Sequence, residues 1–359
     1  MKIDFVISSL RGGGAERVLT LLATHFSEVE KDDVRIVTIN KGEEYEISDQ
    51  LKRVKLDKGF IPNHSIRSFV NLGRFYAKKK NRPDVIVSFI TLTNMLIIPI
   101  AKLYGIGIVA TEHNSYLRVM PPIFLSKLTR EYIYRFADYV TVLTSFDIDY
   151  YKGNKVPVTV MPNPCTFIPL EEVNTEREKV ILAVGKLDRY NHKGFDNLIE
   201  LIAPVLKNNP GWKLAIAGSG DTGLKLLKEL TAKNNIEGQV DFLGFVTNVS
   251  EIMQRSSIFI LSSRFEGLPM VLLEAMSQGM ACIAYNCKTG PSDIIIPNES
   301  GLLIEDQNMS EMQENLQKLI ADKDLRIKLG TNAIKGMDKF SIETIASMYK
   351  TLFKNILKK

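Results

Sequence analysis

Residues 258–285 are IFILSSRFEGLPMVLLEAMSQGMACIAY, in which two apolar runs flank a loop and a helical pattern. Pro269 suits the first turn of a helix, and Gly279 suits the position just past its end. A strand, a crossover helix and a second strand form the unit from which parallel sheets are built. The segment therefore predicts one such unit, made of strand Ile258–Ser262, helix Met270–Gln278 and strand Ala281–Tyr285.

The same alternation of β-branched runs and helical patterns continues in both directions along the chain. Between residues 158 and 179 it is interrupted by Pro162, Pro164 and a charged run, which are typical of a domain boundary. The sequence therefore predicts an α/β protein with two doubly wound parallel-sheet domains, residues 1–164 and 165–359, and a ligand cleft between them. We also expect the last helix to pack back on the first domain. The other predicted strands are Ile3–Ser9, Val34–Ile39, Asp84–Ile90, Ile108–Thr111, Tyr139–Thr144, Val180–Gly185, Trp212–Ala217 and Val240–Gly244.

The composition is that of a globular enzyme. Of the 359 residues, 45% are hydrophobic and 24% are charged, which excludes a disordered chain. The three cysteines lack paired spacing, so we expect no disulfide framework and a reducing, cytoplasmic location. No apolar run is long enough to predict a membrane span, and the first residues do not resemble a signal peptide.

The net charge of +5 arises in the first half of the chain, where Lys78–Lys80 form a basic cluster. These lysines end a helical pattern, residues 64–80, whose apolar stripe includes Ile66, Phe69 and Leu72. Such a stripe is typical of a face that packs on a core, with the lysines as a solvated helix end. The same cluster also suits a peripheral contact with an anionic membrane surface.

Three glycines, Gly12, Gly13 and Gly14, stand between the first predicted strand and the helix that follows. Glycine lets backbone amides approach an anion, so the loop suits a phosphate, or else tight packing of strand against helix. A dinucleotide site also needs an acidic residue at the end of the second strand, and this strand ends at Asn40. No GK[ST] follows the glycines either, so nicotinamide enzymes and P-loop enzymes are disfavoured.

Two glutamates bracket the start of the predicted helix. Glu266 falls in the loop at the carboxyl end of a strand, where ligands bind in such sheets. Glu274 lies inside the helix on the face of Met270, and helical side chains lean towards the N-terminus of their helix. Two carboxylates flanking helix amides suit a nucleotide sugar, with one for the ribose, one for the sugar and the amides for phosphate. The alternative is a turn residue and a solvated helix residue.

The segment FEGLPMVLLEAMSQG, with Glu266 and Glu274 inside it, resembles the signature of the family 4 glycosyltransferases. Other matching segments follow in order along nearly the whole chain. They are GGGAE at 12–16, TEH at 111–113, NP at 163–164, GKLDRYNHKG at 185–194 and GPSDII at 290–295. The resemblance implies the GT-B fold, two facing Rossmann-like domains with a cleft, and a retaining hexosyltransferase activity.

The resemblance also implies roles for individual residues. Lys193 matches the lysine that clamps the donor diphosphate, and Lys186 replaces the arginine that accompanies it, which loses the bidentate fork. Glu274 would hold the ribose and Glu266 the transferred sugar. His113 would contact the donor sugar near the reaction centre. The expected catalytic residues are Lys193, Glu266, His113 and Lys186. The expected donor-binding residues are Gly13, Gly14, Lys186, Lys193, Glu266, Gly267, Met270, Val271 and Glu274.

In similar enzymes the cationic clamp takes the place of a metal, so we expect no metal and no cofactor. The expected donor is UDP-galactose, UDP-N-acetylgalactosamine or UDP-N-acetylglucosamine, with a GDP-sugar as a further possibility. The expected acceptor is a saccharide, carried on a polyprenyl diphosphate, in bacterial surface polysaccharide or glycan assembly, and no nucleic acid is involved. Two alternatives stay open: a UDP-sugar epimerase of the same fold and a non-catalytic sensor of sugar nucleotides.

Overall fold

The computed structural model describes residues 1–11, 13–42, 47–118 and 121–358. Its contacts divide the chain into two compact units. Unit 1 comprises Met1–Thr166 together with Phe340–Lys359, and unit 2 comprises Phe167–Lys339. The chain therefore passes from unit 1 to unit 2 after Thr166 and returns to unit 1 for its final segment.

Unit 1 is a parallel sheet with helices on both faces. Its strands follow the order β3-β2-β1-β4-β5-β6-β7, and each neighbouring pair is parallel. The strands are β1 Lys2–Ile7, β2 Asp33–Thr38, β3 Lys52–Lys55, β4 Val85–Phe89, β5 Gly107–Thr111, β6 Tyr139–Val142 and β7 Val158–Val160. The helices are α1 Gly14–Glu28, α2 His64–Ala77, α3 Thr91–Leu103, α4 Ile123–Glu131, α5 Ile148–Gly153 and, at the end of the chain, α14 Ile342–Leu357.

The terminal helix α14 is an integral part of unit 1. Phe353 of α14 lies against Phe26 of α1 with ring centroids 5.6 Å apart, and both rings are fully buried. Lys350 Nζ donates to a carboxylate oxygen of Glu30 at 2.6 Å, just beyond the end of α1. The first helix and the last helix of the chain thus share one face of the same sheet.

Unit 2 repeats the architecture with six parallel strands. Their order is β10-β9-β8-β11-β12-β13. The strands are β8 Glu178–Val184, β9 Lys213–Ala217, β10 Val240–Gly244, β11 Ser256–Leu261, β12 Ala281–Tyr285 and β13 Leu302–Ile304. The helices are α6 Tyr190–Lys193, α7 Phe195–Asn208, α8 Asp221–Lys233, α9 Val249–Arg255, α10 Met270–Ser277, α11 Pro291–Ile294, α12 Met309–Ala321 and α13 Lys323–Lys335.

Both sheets contain a point where the chain reverses its direction of winding. In unit 1 this point lies between β1 and β4, and in unit 2 between β8 and β11. Both orders match the Rossmann arrangement, in which ligands bind beyond the carboxyl ends of the two strands at this switch point. The predicted fold class, two doubly wound Rossmann-like units of the GT-B type, is confirmed.

Every predicted strand is present within two residues of its predicted bounds. The strands β3, β7 and β13 were not predicted, and each lies at the edge of its sheet. The prediction for α2 was partly wrong: Leu72 and Tyr76 are buried, whereas Ile66 and Phe69 are 56% and 43% exposed. Among the described residues, no helix combines the length and apolarity needed to cross a bilayer.

Candidate functional site

An ion pair stands at the switch point of unit 2. Lys193 ends the short helix α6 after β8, and Glu266 lies in the loop after β11. Lys193 Nζ donates to Glu266 Oε1 at 2.8 Å, and the two side chains are only 15% and 10% exposed. The fold thus joins two predicted site residues that are 73 positions apart in the sequence.

Gly194 allows the two loops to meet. Its φ of +67° is left-handed, and a Cβ on this residue would lie 1.9 Å from the carbonyl oxygen of Ser262. Any other residue would therefore collide with the backbone at the end of β11. Ser262 Oγ in turn donates to the carbonyl oxygen of Lys193 at 2.9 Å, which fixes the end of α6 against the β11 loop.

The surroundings of Glu266 keep its carboxylate ionised. Burial raises its pKa, but the charge of Lys193 and hydrogen bonds from Lys193 and Ser263 outweigh burial, so that the pKa is lowered overall. Ser263 Oγ donates to Oε1 at 2.6 Å, and Thr289 Oγ1 donates to the backbone carbonyl of Glu266. Two donors thus hold the carboxylate, a third holds the backbone of the same residue, and the carboxylate stays negative at neutral pH.

Glu274 lies within α10, one turn from its end, and is 3% exposed. The alternative of a solvated helix residue is therefore wrong. Met270 and Val271 open α10, and Gly267 precedes it in the β11 loop. Lys186, by contrast, is solvent-exposed just beyond the end of β8.

In unit 1, His113 follows β5 near the switch point. Its ring stacks on that of Phe89 at 4.9 Å, and Nε2 lies 3.1 Å from Thr111 Oγ1. The Thr111 hydroxyl donates its only hydrogen to the carbonyl oxygen of Ser88 at 3.0 Å, so it can only accept from His113. We therefore assign the imidazole proton to Nε2. Nδ1 is then the unprotonated ring nitrogen, and it is buried.

The imidazole of His113 is neutral at physiological pH. Burial lowers its pKa to about 4, and an interaction with Asn163 opposes this effect only in part. A neutral ring with its proton fixed on Nε2 cannot act as a cation towards a ligand.

A buried charged network lies beside His113. Arg130 Nη2 donates to Glu112 Oε2 at 3.2 Å, with side chains 5% and 1% exposed, and Tyr134 OH donates to Glu112 Oε1. Arg130 Nη1 also donates to the carbonyl oxygen of Tyr116 at 3.0 Å. The pair therefore ties α4 to the end of β5 and to the loop that carries His113.

The glycine loop of unit 1 leads into α1. Gly13 is the residue before the helix and Gly14 is its first residue. Gly12, the first glycine of the predicted motif, lies outside the described residues. No group of three or more His, Cys, Asp or Glu suited to a metal ion occurs in the ranges that the structure describes.

Comparison with known proteins decides the family. Residues 168–336 match the family described as "Glycosyl transferases group 1", and residues 12–166 match "Glycosyltransferase Family 4". The chain is also 30% identical over 367 residues to a Campylobacter jejuni protein, with 99% of both chains covered. This chain belongs to the family 4 glycosyltransferases.

That relative is named GalNAc-α-(1→4)-GalNAc-α-(1→3)-diNAcBac-PP-undecaprenol α-1,4-N-acetyl-D-galactosaminyltransferase. The amylovoran biosynthesis glycosyltransferase AmsD of Erwinia amylovora is 28% identical, with 95% of each chain covered. Among solved structures, TarM is similar with a TM-score of 0.80 at 16% identity, covering 98% of this chain and 99% of TarM. Anabaena HepE in complex with UDP gives a TM-score of 0.78 at 15% identity, covering 99% of this chain and all of HepE. These structural likenesses show the GT-B fold of this glycosyltransferase.

Several residues around the glycosyltransferase's candidate site were not found by sequence reasoning. Ser263 and Thr289, which hold Glu266, are small hydroxyl residues in loops and give no distinctive signal. Glu112 directly follows a buried strand, which was a usable hint. Its partner Arg130 lies 18 residues away in an element that was not predicted, so the sequence offered no way to pair them.

Proposed function

We propose that this glycosyltransferase moves a hexose or N-acetylhexosamine from a UDP-sugar to a saccharide acceptor with retention of the anomeric configuration. The observation that carries the proposal is the Lys193–Glu266 pair, held 2.8 Å apart at the switch point of unit 2. An ammonium group there can neutralise a diphosphate, and an ionised carboxylate beside it can accept hydrogen bonds from sugar hydroxyls.

The first turn of α10 supplies the remaining donor contacts in this proposal. The backbone amides of Met270 and Val271 meet the diphosphate, because the N-terminus of a helix carries unpaired N–H groups and partial positive charge. Glu274 binds the ribose hydroxyls from within the helix. Gly267 leaves room for the donor beside Glu266, and the exposed Lys186 adds a second positive charge to the phosphate side.

The reaction breaks the bond between the anomeric carbon and the diphosphate oxygen and forms a bond from the acceptor oxygen to the same face of that carbon. The acceptor hydroxyl loses its proton to the departing diphosphate oxygen, so protons and charge balance within the two substrates. Lys193 stabilises the negative charge that develops on the leaving group. Groups already in place before the reaction are effective here because they need no rearrangement as charge develops.

Unit 1 contributes neutral contacts in this proposal. The neutral ring of His113 contacts the donor sugar near the reaction centre. Gly13 and Gly14, at the start of α1, let the backbone approach the donor closely. No metal and no cofactor are required by this set of residues.

The names of the relatives support the choice of substrates. The Campylobacter relative is named for a saccharide acceptor on undecaprenyl diphosphate, the Erwinia relative for amylovoran biosynthesis, and HepE was solved with UDP. We therefore propose an acceptor linked to a polyprenyl diphosphate, in surface glycan assembly, and a peripheral position on the cytoplasmic face of the membrane. The exposed Lys78, Lys79 and Lys80 would contact anionic headgroups there.

The test is a turnover assay of the purified protein with UDP-sugars, run with donor alone and with donor plus a polyprenyl-diphosphate saccharide. We expect glycosylated product only when both are present, with the anomeric configuration of the donor kept in the NMR spectrum of the product. Conversion of the donor sugar without acceptor would indicate an epimerase. Donor binding without turnover, detected as thermal stabilisation, would indicate a sensor.

A further inference from the structure

A cavity lies on the β3 side of the unit 1 sheet, away from β5 and His113. It has a volume of about 690 Å³ and opens at the carboxyl ends of β1, β2 and β3 and at the start of α2. A cavity of this size accommodates a small organic ligand rather than a lone ion. Neither the proposed donor contacts nor His113 lines it.

The cavity is strongly cationic. Arg11, Lys41, Lys58 and Arg67 line it, and of the described lining residues only Asp57 carries a carboxylate. Each of the four comes from a different segment, after β1, after β2, after β3 and in α2. None of them forms an ion pair with any residue in the described ranges. Among the described lining residues the cations outnumber the carboxylate by four to one, which favours a ligand with more than one negative charge.

Three lining residues carry buried polar atoms without partners. Asn40 Oδ1, Asp57 Oδ1 and Arg67 Nε make no hydrogen bond within the described part of the chain. Arg67 Nη1 donates to the carbonyl oxygen of Ile61 at 3.2 Å, which anchors the guanidinium and leaves Nε unused. Buried polar atoms are normally paired, so these three point to a ligand with both acceptors and donors.

We propose that this cavity binds a phosphorylated saccharide, with the cations on its phosphate oxygens and with Asn40 and Asp57 accepting from its hydroxyls. A phosphate or diphosphate ester supplies the multiple negative charge, and the sugar supplies the hydroxyl donors. The proposal rests on the proposed function in one respect, since it assigns the ligand to the acceptor. The donor diphosphate already has its contacts at Lys193 in unit 2.

The first experiment measures calorimetric binding of inorganic pyrophosphate to the full-length protein saturated with UDP, which occupies the donor site. We expect Arg67→Gln to weaken pyrophosphate binding at least tenfold, the usual loss for a charge-assisted hydrogen bond. The matched control is Arg74→Gln, an exposed arginine on the same helix that does not line the cavity. Absence of binding to the wild-type protein, or equal weakening by both substitutions, would overturn the proposal.

A second experiment identifies the source of the phosphate. Three acceptors with the same saccharide are compared: a polyprenyl diphosphate, a glycosyl diphosphate without lipid and a phosphate-free glycoside. Arg67→Gln should raise the Michaelis constant for both diphosphates and leave that of the glycoside unchanged. An equal rise for all three, or a rise for the lipid form alone, contradicts a site for a phosphorylated saccharide. If no acceptor is glycosylated, the proposed function is wrong, while the pyrophosphate titration still tests whether the cavity binds phosphate groups.

Asp57→Ala separates the hydroxyl contacts from the phosphate contacts. It should weaken binding of a glycosyl diphosphate and leave pyrophosphate binding unchanged or tighter, because it removes a hydroxyl acceptor and a negative charge together. Parallel loss of both ligands would instead show that Asp57 only maintains the cavity's shape, and the saccharide half of the proposal would be wrong.

Discussion

The two switch points share a topology and differ in their chemistry. In unit 2 the loops after the two strands bring a lysine and a glutamate together as an ionised pair beside the start of α10. In unit 1 the loop after β5, the strand next to the switch point, carries a neutral histidine, and the charged pair Glu112–Arg130 is buried beside it. Strand order therefore fixes where a site lies, whereas the loops beyond the strands decide whether it is charged or neutral.

A lysine or arginine paired with a glutamate thus has a different role in each unit. The Glu112–Arg130 pair is almost fully buried and has hydrogen bonds to Tyr134 and to the backbone, so its removal should affect folding. The Lys193–Glu266 pair is partly open, so its removal should affect the reaction. The predictions below test that division of roles.

The largest effect is expected on stability. Arg130→Leu should lower the free energy of unfolding by about 3–5 kcal/mol, because it leaves the Glu112 carboxylate buried without its cation. Chemical denaturation measures the loss. Arg135→Leu is the matched control, since Arg135 is exposed and lies over the ring of Tyr132, and it should cost less than about 1 kcal/mol. Equal, small losses for the two substitutions would show that the buried pair is not structural.

The next effect is expected on catalysis. Lys193→Ala should lower the transfer rate on the order of 10²–10³, because the leaving diphosphate loses a cation placed for it. The exposed Lys207, at the far end of α7, provides the control substitution Lys207→Ala, which should keep the wild-type rate. Steady-state assays on variants with native circular dichroism make the comparison. Near-normal turnover by the Lys193 variant would exclude it from the diphosphate site.

The buried, neutral imidazole of His113 predicts that acid lowers the stability of unit 1. The pKa of His113 is about 4 in the folded protein and about 6.5 when unfolded, so the unfolded chain binds the extra proton first as the pH falls. Stability should therefore decrease between pH 6.5 and 4, by up to about 3 kcal/mol in total. His113→Gln should remove this component from denaturation curves recorded across that range. An unchanged pH dependence would mean that His113 is not buried as a neutral ring.

A weaker effect is expected at the membrane. Replacing Lys78, Lys79 and Lys80 by glutamine should weaken binding to anionic vesicles by up to about 1 kcal/mol for each lysine. The apparent Michaelis constant for a lipid-linked acceptor should rise, whereas that for a short water-soluble acceptor should not. Vesicle sedimentation tests the first expectation. Identical binding by the wild type and the triple variant would show that these lysines are ordinary solvated residues without a role at the membrane.

The smallest effect is expected at the ribose. Glu274→Gln keeps the shape of the side chain but weakens a charge-assisted hydrogen bond, so donor affinity should drop about tenfold. A 2′-deoxyribose donor should lose less affinity in the variant than the natural donor does. Titration calorimetry with both donors measures the difference. Equal losses for the two would remove the 2′-hydroxyl from the contacts of Glu274.

Buried features were the most predictable from sequence. The central strands are short apolar runs, so their positions followed from periodicity. Strand β3, with the sequence KRVK, has a single apolar residue, and the strands β7 and β13 have only three residues each, which is too short for a pattern to be recognised. In α2 the period was right, but Ser68 faces the core and Ile66 does not, because tertiary packing overrides hydrophobicity. The Lys193–Glu266 contact was predicted only as a shared ligand site, since direct pairing depends on the left-handed turn at Gly194.

The return of the last helix to unit 1 has a consequence for how the protein is made. A ribosome synthesises residues 1–166 first, yet the surface around Phe26 acquires its cover only when Phe353 has left the exit tunnel. Unit 2 lies within one continuous stretch of chain and has all its strands and helices before α14 is synthesised. Unit 1, although its first residues are translated first, can complete its fold only after α14 has emerged from the ribosome, and until then it exposes an apolar surface of the kind that chaperones recognise.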